Sequence, residues 1–184
     1  MTRYPFAVAC LMLGATVAHA QSDRVAPTIA PAPTSEEMKQ ARPPRARGIS
    51  AQLAVEAATQ ANDVCLRNGY KTTALVTDSA GVPIVLLAND GAAAITQRVA
   101  MSKIWAVLTY RKTSGEVSDN AAKDPALAAQ IKGNPLIETA RQGAIPIISG
   151  TTIVGALAVS GAPGGDKDEV CARAGLAKIQ ERVS

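Results

Sequence analysis

Apolar and polar positions alternate with different periods along the chain. From Ser50, apolar residues recur at three- and four-residue spacing, at Leu53, Ala57, Ala61, Val64 and Cys65, which marks one face of a helix. Ser50 suits its N-cap and Gly69 its stop. Two short β-branched or aliphatic runs follow, Thr72 to Asp78 and Val82 to Ala88. Asp78-Ser79-Ala80-Gly81 between them is turn chemistry, so the pattern predicts a hairpin. Ala92 to Arg111 is helical in composition. Ser114 to Asn120 is polar without an apolar period, and a shorter helix is expected over Ala121 to Ile131, with a loop at Lys132 to Asn134. Ala144 to Ile148 and Thr151 to Ser160 predict a second hairpin turning at Ser149-Gly150, and Pro146 marks its first strand as an edge or a bulge. A loop over Gly161 to Gly165 precedes a last helix, capped by Asp166 or Asp168 and running to about Arg182. The order α-ββ-αα-ββ-α predicts an α+β fold: an antiparallel sheet with the N- and C-terminal helices on one face and the central helices elsewhere.

The first 48 residues follow neither period. Arg3, an apolar stretch from Phe6 to about Val17 and the small-x-small sequence Ala18-His19-Ala20 have the form of a signal peptide over 1–20. The apolar run is too short to span a bilayer, so no stable membrane anchor is expected, and the cleaved protein is expected in the periplasm or secreted. Residues 21–48 hold five prolines and the basic patch from Arg42 to Arg47, which reads as a disordered tether, either plainly solvated or touching a membrane surface or partner. The remaining span, 49–184, is one domain.

Composition narrows the chemistry. Aromatic residues make up only 3 % of the chain, too few to stack on single-stranded nucleic acid. The formal charge of +4 lies mostly in the N-terminal part, and the folded span carries no basic footprint of a nucleic-acid binder. Cleavage after Ala20 removes His19, the only histidine, together with Cys10. The mature chain then has no histidine-based triad or common zinc site, and no metal site is expected. Cys65 and Cys171 remain. An oxidising compartment makes them a candidate disulfide, and both lie on inward helix faces; the alternative is two buried thiols.

No strong catalytic motif is present. Asp166-Lys167-Asp168-Glu169 places acids at a helix start, as capping would. Gly161 to Gly165 is either a plain connector or a loop that turns backbone N–H groups toward an anion. Lys103, in an apolar helix, either snorkels from a core face or meets a ligand carboxylate.

Several segments in order resemble one family. They are Ala74-Leu75-Val76-Thr77-Asp78-Ser79-Ala80-Gly81, Asp90-Gly91-Ala92, Ala100-Met101-Ser102-Lys103-Ile104-Trp105-Ala106, Tyr110 to Ser114, Ile153 to Gly161 and Asp168 to Leu176. The set is similar to the GlcG/HbpS heme-binding family, which includes the C-terminal domain of PduO-type proteins, over roughly Ile49 to Val183. The resemblance implies an α+β domain that forms a homo-oligomer, binds heme or a related tetrapyrrole, and in one branch works outside the cell with a sensor protein. Carried over residue by residue, its polar positions are Asp78, Asp90, Lys103, Thr113, Ser160 and Asp168. The chain departs from the family at Ala88-Asn89, where Arg-Met is usual, and at Gln142-Gly143, where a glycine pair is usual.

The function this implies is an exported heme- or tetrapyrrole-binding protein, in heme handling or extracellular redox sensing. Heme would lie on an apolar surface between helix and sheet, without histidine ligation. Tyr110 or Met101 would be its axial donor, or the iron would lack one, and Lys or Arg would pair its propionates. The alternative is a cofactor-free enzyme or binder for a small organic acid, in which Asp78, Asp90, Lys103 and Ser160 converge.

Overall fold

The computed structural model describes residues 46–183. The expected signal peptide and nearly all of the expected tether lie outside them. Helix α1 spans Ala51–Arg67 and is followed by strands β1 (Thr73–Asp78) and β2 (Pro83–Ala88). Helices α2 (Ile95–Tyr110), α3 (Ser114–Ala121) and α4 (Pro125–Gly133) come next. Strands β3 (Ala144–Ser149) and β4 (Thr152–Ser160) lead to helix α5 (Gly165–Ile179) and a 3-10 turn, Gln180–Arg182. The fold is α+β with the expected order of elements, apart from the number and bounds of the central helices.

The four strands form one antiparallel sheet in the order β2-β1-β4-β3. Strand β1 is buried at all six positions because both faces of the sheet are covered. Its alternate residues divide between two cores, as the period of a strand requires. Ala74 and Val76, with Leu157 and Val159 of β4, pack against α1 and α5. Leu75, with Ala156 and Ala158, packs against Ala100, Ile104 and Val107 of α2. The N- and C-terminal helices thus share one face and α2 takes the other.

Side-chain size explains how closely α1 and α5 approach. The buried stripe of α1 is Ala54, Ala57, Ala58, Ala61, Asn62 and Cys65, nearly all small. Opposite lies Gly175, where a β-carbon would come within 2.5 Å of the Ala57 carbonyl oxygen. The helices run antiparallel, and Cys65 near the end of α1 is bonded to Cys171 near the start of α5, with Cα atoms 5.6 Å apart. The candidate disulfide is therefore formed.

Three expectations about local structure need correction. The polar stretch from Ser114 is itself helical: the Thr113 hydroxyl accepts the Glu116 N–H at 3.1 Å, and the Glu116 carboxylate accepts the Thr113 N–H at 2.9 Å. This capping box starts α3 without an apolar period. The chain breaks after Ala121, and α4 starts afresh at Asp124, whose carboxylate accepts the Ala126 and Leu127 N–H groups ahead of Pro125. At the last helix neither Asp166 nor Asp168 is the cap; Gly164 is, and the two acids fall in the first turn. Pro146 does lie in an edge strand, β3, and the register shifts just beyond it, between Ile147 and Ile148.

Candidate functional site

Strand β4 ends at Ser160, α2 carries Lys103 across from it, and the loop from Gly161 to Gly164 leads into α5. Together they enclose a cleft of about 240 Å³, also lined by Ile95, Thr96, Val99 and Arg141. Lys103 is only 2 % exposed. Its Nζ donates to the Asp168 carboxylate at 2.6 Å and to the Val159 carbonyl at 2.9 Å. The other Asp168 oxygen accepts the Ala162 N–H at 2.9 Å, so one carboxylate ties the glycine loop to α2.

Of the two alternatives for Lys103, snorkelling from a core face or meeting a ligand carboxylate, neither describes it fully: it is buried, and its partner is the chain's own Asp168. Burial pushes the Lys103 ammonium below its ordinary range and the Asp168 carboxyl above its own, while their mutual attraction works against both shifts. Space for the pair comes from Gly143, at φ 124°, where a β-carbon would sit 2.6 Å from Nζ.

Ser160 is 4 % exposed, and its hydroxyl has no hydrogen-bond partner among the described residues. The Thr96 hydroxyl, by contrast, is engaged by Thr73 and the Ala93 carbonyl. Arg141 is exposed at the mouth, and its guanidinium pairs with no carboxylate among the described residues.

Of the residues expected in a site, the fold brings together Lys103, Ser160 and Asp168. Asp78 is elsewhere, closing the β1–β2 turn by accepting the Ala80 and Val82 N–H groups, each at 2.9 Å. Asp90 is exposed in the connection before α2. Thr113 caps α3. Tyr110 ends α2 in a separate hollow of about 120 Å³ with Lys112, Val117, Asn120 and Leu127. Met101 packs against the core under α2. The space between helix and sheet, where the sequence places a macrocycle, is filled around β1 and β4 by side chains of the two cores.

Arg141 is the site residue that sequence patterning misses. No spacing links it to Lys103. It arrives because the Gly143 carbonyl accepts the Val159 N–H at 2.8 Å, which draws the segment before β3 across the end of β4.

The family profile described as haem degrading protein HbpS-like matches residues 49–177. A crystal structure of a double mutant of HbpS from Streptomyces reticuli is 27% identical, with a TM-score of 0.66, over 82% of this chain and 97% of that one. A second HbpS crystal structure is 28% identical, with a TM-score of 0.65, over 74% of this chain and 96% of that one. A crystal structure of a PduOC–heme complex shares the fold at 18% identity, with a TM-score of 0.62, over 72% of this chain and 95% of that one. No curated protein matches the chain in sequence.

Proposed function

The chain belongs to the HbpS-like family, and on that premise we propose that it is an exported heme-binding protein acting as a homo-oligomer. The observation that carries this reading is the family match itself, which runs from before α1 into α5. Export rests on the signal-peptide pattern of residues 1–20 and agrees with a formed disulfide, a feature of oxidising compartments. Outside the cell membrane the protein would carry heme or report on it to a sensor partner.

The residues present constrain how heme is held. Among the described residues there is no histidine, and no three His, Cys, Asp or Glu side chains cluster as a metal site. Met101 is half-buried and packs against the core cluster of α2 and the sheet. Tyr110 is the donor that fits: half-buried, in a hollow with Val117 and Leu127 as apolar wall and the Lys112 cation beside it. A phenolate is an established axial donor to heme iron, and a lysine suits a propionate. Heme bound there would supply the redox chemistry.

The hollow is smaller than the roughly 300 Å³ at the lower end of ligand pockets. It would take one edge of the macrocycle and leave the rest to be covered. Helix α4, with sequence PALAAQIKG and no buried residue, borders it and offers apolar surface for that cover or for a second copy. Titrating ferric heme into the mature protein tests the reading. A Soret band displaced from that of free heme and saturating at a fixed ratio per chain is expected; a featureless rise with no saturation would refute it.

A further inference from the structure

We propose that the cleft between α2, β4 and α5 is a binding site for a small aliphatic carboxylate, separate from the heme hollow at Tyr110. Three independent features converge there. The first is the Ser160 hydroxyl, on a residue only 4 % exposed, without a hydrogen-bond partner among the described residues, and on the cleft wall. The residue lines the cleft, and its hydroxyl is free to bond a ligand oxygen there. The second is Arg141 at the mouth, a guanidinium paired with no carboxylate among the described residues, whose fork matches a carboxylate in two parallel bonds. The third is the start of the 15-residue helix α5, which carries no side-chain cap on its N–H groups.

The acids nearby do not defeat an anion. Asp168 is already paired with Lys103 and Glu169 with Arg173, so these pairs add little net field. Asp166 lies toward solvent, where water screens it. An apolar wall is made by Ile95 and Val99 of α2. A carboxylate head at Arg141 and Ser160 with a short carbon tail on that wall uses both halves of the cleft. Phosphate would leave the apolar wall without a partner, and about 240 Å³ accommodates a molecule of a few carbons.

The test uses the full mature chain and calorimetric titration with pyruvate and propionate, with inorganic phosphate as a third probe. Saturable binding of one of the two acids is expected, with phosphate at least about tenfold weaker. Arg141→Gln should weaken acid binding about tenfold or more, as loss of a charge-assisted pair does. Ser160→Ala should weaken it several-fold, and Arg141→Lys should fall between parent and Arg141→Gln. Ferric heme titrated in the presence of saturating acid should give the same affinity as without it. Competition would mean that the cleft receives a heme propionate rather than a free acid, and would overturn the proposal. So would the absence of saturation with either acid, equal binding in the Arg141→Gln variant, or phosphate binding as tightly. The heme reading stands or falls separately on its own titration.

Discussion

At Lys103 two opposing effects meet in one side chain. Burial disfavours its charge, and Asp168 at 2.6 Å favours it. Removing one member of such a pair strands the other, which typically costs about 3–5 kcal/mol, whereas removing both can be nearly neutral. Lys103→Met should therefore destabilise the protein by about 3 kcal/mol or more in urea unfolding. Lys103→Met combined with Asp168→Asn should recover over half of that loss, because the asparagine oxygen can still accept the Ala162 N–H. A double variant as unstable as the single would show that the charge pair is not what matters. The sequence indicates only that Lys103 meets a carboxylate or snorkels. Its partner is not legible there because Asp168 lies 65 positions away and joins through tertiary packing. Asp78, by contrast, suits both a turn and a site by sequence alone, and its two backbone acceptances make it a turn residue.

At the scale of elements, local chemistry decides where apolar period is silent. Helix α3 is hidden in a polar stretch because only Val117 among its side chains packs as buried apolar surface. Its signature is Thr113-x-x-Glu116, a capping box, which needs no apolar stripe. Thr113→Ala should cost about 1 kcal/mol by thermal unfolding. The Thr113 N–H holds the Glu116 carboxyl below its ordinary value of 4.5. A carboxyl depressed in the folded state contributes stability that is present above that ordinary value and fades as pH falls through the lower folded value. Acid titration of the parent should show this loss below pH 4.5, and Glu116→Gln should flatten it. The α1–α5 pair is more legible: two cysteines on inward helix faces indicate that the helices pack side by side, and the small residues Ala57 and Gly175 set how closely they do so. The disulfide closes a loop with a sequence separation of 106. The chain-entropy argument puts its contribution at about 4–5 kcal/mol. Replacing both cysteines with alanine should lower stability by about that amount, and thiol counting on the denatured, unreduced protein should find none free. Two free thiols per chain would contradict the bond.

For the whole molecule, the short β-branched or aliphatic runs and the turns between them are enough to anticipate the antiparallel sheet, whereas the cover on both its faces shows only in the burial of all six β1 positions. What lies around the molecule is not written in any period. Strand β2 is an edge of the sheet, with Leu86 44 % and Leu87 36 % exposed. An unpaired edge with apolar side chains favours association with another chain. Light scattering should give a homo-oligomer for the mature protein. Leu86→Lys should shift it toward smaller species, while deleting residues 21–48 should leave the number of copies unchanged. A monomer in the parent would show that the β2 edge does not drive assembly.

A family member without histidine in its mature chain would bind heme through Tyr110. The most direct measurement is the optical spectrum of the ferric heme complex of the mature protein compared with that of Tyr110→Phe. A phenolate-to-iron charge-transfer band is expected in the parent, and its loss, with weaker heme binding, in the variant. Identical spectra and affinities in the two proteins would contradict it.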